Sequence, residues 1–310
     1  MATLYEEIVE AMGELSGVHS GHRAAHAKGS FCRGTFTAAP EARELTRAAH
    51  MQGEPVDVTA RFSNGSGNPD DRDASRREGR GMATQFGIGD GESTDIVAIT
   101  LPVFFVRTAE DFLEFVRARK PDPATGEMDM EKIGAFVGAH PETQAALELI
   151  LPTFVPPVSY ATCEYNSLHA FGFENEAGER RFGRYRWEPA AGLHTLADEA
   201  VDGASPDYLQ DEIAERLADG PVVFTLQVKL AAEDDPLDDS TVPWPDDREV
   251  MTLGRMELTK TYPDAEDEEI VVFDPTRITD GIETSDDEIL AARPHAYSIS
   301  AERRAAARNP

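Results

Sequence analysis

Strand-like segments stand on both sides of a long helical stretch, and that layout limits the folds open to this chain. VDVTARFS (56–63), MATQFGI (82–88) and IVAIT (96–100) are rich in β-branched and aromatic residues and are separated by Gly, Asn and Asp turns. From 108 to 151 the pattern turns helical, through TAEDFLEFVRARK, MDMEKIGAFVGA and ETQAALELIL. Strands return in YATCEYNSLHAFGFEN (160–175) and ERRFGRYRWEP (179–189), joined as a hairpin by EAGE, then in VVFTLQVKL (222–230) and REVMTLGRMELTK (248–260). LYEEIVEAMGEL (4–15), EARELTRAAHM (41–51) and DYLQDEIAERLADG (207–220) have helical spacing, the last ending at a Gly. No repeat or clear linker divides the chain, so the strands must pair across the intervening helices. An α+β fold follows, with a largely antiparallel sheet or barrel and helices packed outside it.

The 310 residues, 40% of them apolar, supply a core without disulfides. Cys32 and Cys163 are too few for a secreted framework, which points to a reducing, cytoplasmic setting. The N-terminal segment is acidic, and no stretch approaches the roughly 18 apolar residues of a membrane span, so neither export nor insertion is expected. A net charge of −29 repels nucleic acid and anionic lipid alike. The acidic runs at 232–247 and 262–269 are interrupted by Pro and read as solvated loops. The Ser285–Glu288 spacing of a capping box predicts a helix opening at DDEILAAR.

Two clusters carry residue types suited to chemistry. HSGHRAAHAKG holds His19, His22 and His26 at spacings that can share a helix face, although no Glu, Cys or Asp completes a zinc-ligand set. In ARPHAYSISAERR, Arg293 and Tyr297 are four residues apart, so on a helix a guanidinium lies beside a phenol and favours ionisation below the usual value of about 10. Such a phenolate is a good ligand for ferric iron.

Taken in order, RAAHAKG (23–29), ARFSNGSG (60–67), GRGMATQF (79–86), LPVFFVR (101–107), NSLHAFGF (166–173) and FDPTRITDGIETSDDEILAARPHAY (273–297) resemble the motifs of the haem catalase superfamily. The resemblance implies a catalase-like antiparallel β-barrel with surrounding helices, holding haem b. It divides the single core into an N-terminal helix (1–20), a barrel with inserted helices (21–260) and a proximal haem-ligand segment (270–310). His26 takes the place of the distal base and Ser63 that of the serine orienting it. Tyr297 takes the place of the iron ligand, with Arg293 keeping it anionic. Arg23, Arg61 and Arg304 match the partners of the haem propionates, and Phe105 the aromatic residue beside the distal face.

The departures matter as much. The long N-terminal arm and the C-terminal helical domain of ordinary catalases are not matched, so the resemblance implies no NADPH site and a homodimer. Pro294, just before the ligand, predicts a kink or break. Thr100 stands where catalases carry a distal asparagine, and a hydroxyl has one donor where an amide has two. The expected activity is therefore peroxidase turnover of hydrogen peroxide or organic hydroperoxides with a small organic reductant, with weak catalase activity. A hydroperoxide isomerase or dehydratase similar to allene oxide synthase, and a non-catalytic haem-binding module, are the alternatives.

Overall fold

In the computed structural model, which describes residues 2–122, 124–262 and 271–308, one long antiparallel sheet closes on itself. Elements are numbered in chain order. Strands β1 (Gly29–Ala38), β2 (Val56–Asn64), β3 (Arg80–Gly89) and β4 (Glu92–Ile99) pair in succession. β4 meets β5 (Tyr165–Asn166), which lies end to end with β6 (Phe171–Glu174) along β7 (Arg180–Pro189). β8 (Val222–Leu230) joins β7 to β9 (Val250–Thr261), and β9 returns to β1. With β5 and β6 counted as one position, the described residues form a closed eight-strand antiparallel barrel, and β10 (Ile282–Thr284) extends β6. Closure removes the unpaired edges that an open sheet would expose.

The strand alternation read in the sequence is what fills this barrel. On β8 every second residue, from Val222 through Phe224, Leu226 and Val228 to Leu230, is buried. Phe36, Phe62, Phe86, Tyr160, Tyr165, Trp187 and Phe224 fill the interior, with Phe62 stacked on Tyr160 at 5.4 Å and Phe86 edge-on to Phe36 at 5.2 Å. Each such side chain contributes about 2–3 kcal/mol through burial.

Polar side chains also sit in the buried interior, His50 and Thr84 among them. His50 is 1% exposed and lies 4.9 Å from the Phe86 ring, and burial pushes its pKa down to about 4. Below its unfolded value of about 6.5 the unfolded chain takes up a proton that the folded chain refuses, so stability falls as pH falls from there towards 4. The parent should lose about 2 kcal/mol more than His50→Met between pH 7 and pH 5. Urea denaturation of both proteins at the two pH values measures this, and equal losses would show that His50 is not held neutral.

The helices pack outside. Ile8 and Ala11 of α1 (Leu4–Ser16) meet Leu113 and Val116 of α3 (Ala109–Ala118), and Ala292 of α8 (Glu288–Arg308) joins them. α4 (Met130–Ala139) and α5 (Pro141–Ile150) follow α3. α7 (Tyr208–Asp219) buries Leu209, Ile213 and Leu217 against the barrel, while α2 (Ala42–Leu45) and α6 (Asp198–Val201) are single turns. Among the described residues no helix is long and apolar enough to cross a membrane.

Several expectations need correction. The 41–51 segment is not one helix: Thr46 is extended, and its buried hydroxyl donates to the Gly281 carbonyl at 2.6 Å, so only α2 and a 3-10 turn at Ala49–Met51 form. The 160–175 segment is broken at Leu168, whose φ of 66° turns the chain between β5 and β6. α8 is capped by Asp287, which accepts from Leu290 N–H at 3.0 Å, and not by Ser285. The helix also runs unbroken through Pro294. The 232–247 run is not simply solvated, because Asp235 is buried against Arg248 and Trp244 lies beneath Arg184. The second acidic run lies, after Tyr262, outside the described residues up to 270.

Candidate functional site

His26 lies in the chain entering β1, where its N–H donates to the Gly65 carbonyl at 3.2 Å and Ala27 N–H donates to the Ser66 carbonyl at 2.9 Å. Those two bonds hold His26 at φ 55°, a left-handed conformation that costs a non-glycine residue about 1–2 kcal/mol. The resulting turn aims the imidazole at the start of the barrel wall. Nδ1 lies 2.9 Å from Ser63 Oγ, at the end of β2. Gly81 of β3 makes room for both: a Cβ there would lie 2.8 Å from Ser63 Oγ and 2.9 Å from His26 Nδ1. Any side chain at position 81 would therefore push the pair apart.

On the other side, Arg293 and Tyr297 share a face of α8, as their spacing predicts. Arg293 Nε–H donates to Tyr297 Oη at 2.9 Å. The two halves face common ground. Burial first, and then the guanidinium groups of Arg61, Arg293, Arg23 and Arg80, push the His26 imidazole down to about 3, so the arginine bound to Tyr297 is felt at His26. Ala24 N–H also donates to Ser300 Oγ at 3.3 Å, tying the histidine segment to α8.

Three guanidinium groups, those of Arg23, Arg61 and Arg304, gather at one corner. Arg23 and Arg304 both donate to the Val271 carbonyl, at 2.8 and 3.3 Å, while Arg23 and Arg61 lie 5.7 and 5.5 Å from the centre of the Phe31 ring. Phe105 is half-buried in an aromatic cluster with Phe104, Phe112 and Phe115, at 4.4, 5.7 and 5.2 Å.

Thr100 has a second role that its position in the motif did not reveal. Its Oγ1 accepts from Arg80 N–H at 2.9 Å and its own N–H donates to the Arg80 carbonyl at 2.9 Å, which continues the β3–β4 ladder one residue past β4. Thr100→Val removes the acceptor from a buried N–H and should cost about 1–3 kcal/mol of stability. Thermal unfolding beside Thr100→Ser, which keeps the oxygen, checks this; equal losses in the two variants would place the effect elsewhere.

The structure also brings in a pair whose role was not read from the sequence. His169 Nδ1 lies 2.9 Å from Asp287 Oδ2, with both side chains buried. Burial pushes His169 down despite Asp287. Burial raises the Asp287 carboxyl, but His169 and Leu290 N–H outweigh it and hold the group below its usual range. A neutral imidazole thus donates to a carboxylate at the N-terminus of α8, where the helix dipole also favours the charge. His169 sat within NSLHAFGF, but the 118 residues separating it from Asp287 gave no local signal. His19, by contrast, hydrogen-bonds to the Ser16 carbonyl at 3.1 Å, and among the described residues His19, His22 and His26 form no metal-ligating group.

The closed barrel thus carries an imidazole–hydroxyl pair at the start of its wall and an arginine–phenol pair on α8, with the two segments tied by the bond from Ala24 N–H to Ser300 Oγ. The chain belongs to the catalase family, whose model matches residues 7–309. It is 40% identical to a catalase-related peroxidase of Mycolicibacterium paratuberculosis, covering 96% of this chain and 94% of that one. It is 33% identical to a catalase-related peroxidase of Synechococcus elongatus, over 96% and 88%. Among solved structures it resembles a fungal catalase (TM-score 0.82, 25% identity) and catalase A from Saccharomyces cerevisiae (TM-score 0.82, 24% identity). The chain spans 62% and 64% of those two catalase chains, and they cover 96% and 97% of it.

Proposed function

We propose that this protein is a haem-dependent peroxidase, reducing hydrogen peroxide or an organic hydroperoxide at the expense of a small organic donor. The observation that carries this reading is the pair of opposed contacts, His26 with Ser63 and Arg293 with Tyr297, in a fold whose near-full-length relatives bear the name catalase-related peroxidase. The donor set fits the cofactor. Tyr297 Oη would hold the iron, with Arg293 stabilising the phenolate form. Arg23, Arg61 and Arg304 would receive the two propionates, and Phe105 would help to wall the distal face. Haem b is the form proposed, and the burial of both free cysteines supports a reducing, cytoplasmic setting.

Haem, when bound, supplies the redox chemistry that passes electrons from donor to hydroperoxide. The protein's own part is proton handling. With Nδ1–H donating to Ser63 Oγ, His26 keeps a lone pair on Nε2. That nitrogen takes the proton of the hydroperoxide and returns it to the departing oxygen, so one imidazole serves as base and then as acid. Because the pocket holds the ring neutral, no proton must first be removed from it.

Thr100 sets the balance between peroxidase and catalase work. Its hydroxyl oxygen already serves Arg80 N–H, and a single hydroxyl hydrogen cannot hold a second peroxide as an amide would. Steady-state kinetics with hydrogen peroxide and with a bulky organic hydroperoxide, with and without a donor, tests the proposal. Donor-dependent turnover with little oxygen release is expected, and Thr100→Asn should raise oxygen release relative to donor oxidation. Vigorous oxygen release by the parent would overturn the peroxidase assignment, and a rearranged product formed without donor would make the protein an isomerase.

A further inference from the structure

Away from this pocket, three ligand-type side chains converge where α3 meets the α4–α5 corner. Asp111 lies in the first turn of α3, His140 is the residue between α4 and α5, and Glu142 lies in the first turn of α5. One ligand atom from each falls within 4.8 Å of the others, and all three residues are half-buried.

The tautomer of His140 is set by its surroundings. Nδ1 lies 2.9 Å from the Phe136 carbonyl, which has no hydrogen to give, so Nδ1 carries one and donates it. The ring is further held by stacking on Phe136, with centroids 4.0 Å apart. Nε2 therefore faces the carboxylates, 3.3 Å from Asp111 Oδ1. A lone pair pointed at two carboxylates needs something positive between them, either a proton or a metal ion.

The spacing suits the metal. Bonds of about 2.0–2.1 Å meeting at a tetrahedral angle place two ligand atoms about 3.3–3.4 Å apart. An imidazole whose other nitrogen donates to a carbonyl is also the usual arrangement of a metal-bound histidine. Both carboxylates sit in the first turn of a helix, where the positive end of the helix dipole lies. Each of these features favours a cation at Nε2.

We propose that Asp111, His140 and Glu142 form a binding site for one divalent transition-metal ion of the zinc class, with water completing the coordination. One nitrogen and two carboxylate ligands suit such an ion better than magnesium or calcium, which prefer oxygen alone. The ion would clamp the first turn of α3 to the α4–α5 corner. That corner carries the ladder of rings from Phe136 through Phe115 to Phe105, with centroids 5.3 and 5.2 Å apart. Metal binding would thus stiffen one wall of the proposed haem pocket from outside.

Calorimetric titration of the chelator-treated, full-length protein with zinc chloride at pH 7.5 tests the site. One zinc per chain is expected, with a rise in melting temperature and no competition from a tenfold excess of magnesium. His140→Asn and Glu142→Gln should each weaken zinc binding at least tenfold and abolish the thermal shift. Glu142→Gln changes one atom of a half-buried side chain and keeps the test open if His140→Asn folds poorly. No stoichiometric zinc uptake by the parent, uptake that survives both substitutions, or equal competition by magnesium would each overturn the proposal.

Discussion

His26→Ala lowers the rate constant for reaction with hydrogen peroxide by about 10²- to 10⁴-fold, the span that a positioned acid–base group supplies, while haem content stays that of the parent. The separation of effects follows from the geometry: His26 is held by Gly65 and Ser63 on the barrel side, whereas the proposed ligand and the three gathered arginines rest on other contacts. Stopped-flow mixing with peroxide measures the rate directly. An unchanged rate would mean that the protein binds haem without using this histidine, as a non-catalytic module would. The pH profile is a second reading of the same residue. An imidazole pushed down to about 3 is neutral, and so competent as a base, at every pH well above that value. The parent's rate should stay level from pH 8 to pH 5. A fall centred near 6.5 would show that the ring keeps its ordinary affinity for protons in the loaded protein.

Tyr297→Phe should remove the cofactor rather than the proton chemistry. Loss of partners beyond the ligands costs roughly 10- to 100-fold in metal-site affinity, and loss of the sole protein ligand should cost more than about 100-fold. The variant is expected to purify with little haem and to bind added haem weakly, while circular dichroism matches the parent, because Tyr297 is half-buried on α8 and fills no part of the barrel core. Absorbance at the Soret band against protein concentration gives the ratio. Full haem occupancy with an unshifted spectrum would assign the iron to another residue. Arg293→Leu provides the graded comparison, since it leaves the phenol and removes the Nε–H that it accepts.

How far these sites were legible depended on whether their signals were local. The Arg293–Tyr297 pair was readable because a spacing of four on a helix places side chains together whatever the rest of the fold does. β2, β8 and β9 were readable because a two-residue alternation survives in any pairing. β1 was not, since Gly29 and Gly34 interrupt its pattern, and the reason for Gly34 lies on another strand. A Cβ there would lie 1.9 Å from the Glu257 carbonyl oxygen, beside the register shift between Arg33 and Gly34. The motifs placed His26, Ser63 and Thr100 by resemblance, but no local pattern could show that Thr100 Oγ1 serves Arg80, twenty residues away.

The order of amino acids was enough to set the alternation that fills the barrel and the helix face bearing Arg293 and Tyr297, and composition alone fixes the net charge of −29. Each of these depends on near neighbours in the chain or on composition. Closure of β7 on β8, the meeting of His26 with Ser63 across 37 residues, the burial of His169 against Asp287, and the convergence of Asp111, His140 and Glu142 were settled only by folding. Those contacts join residues far apart in sequence, and their geometry depends on how the barrel and its helices pack, which no short window of residues records.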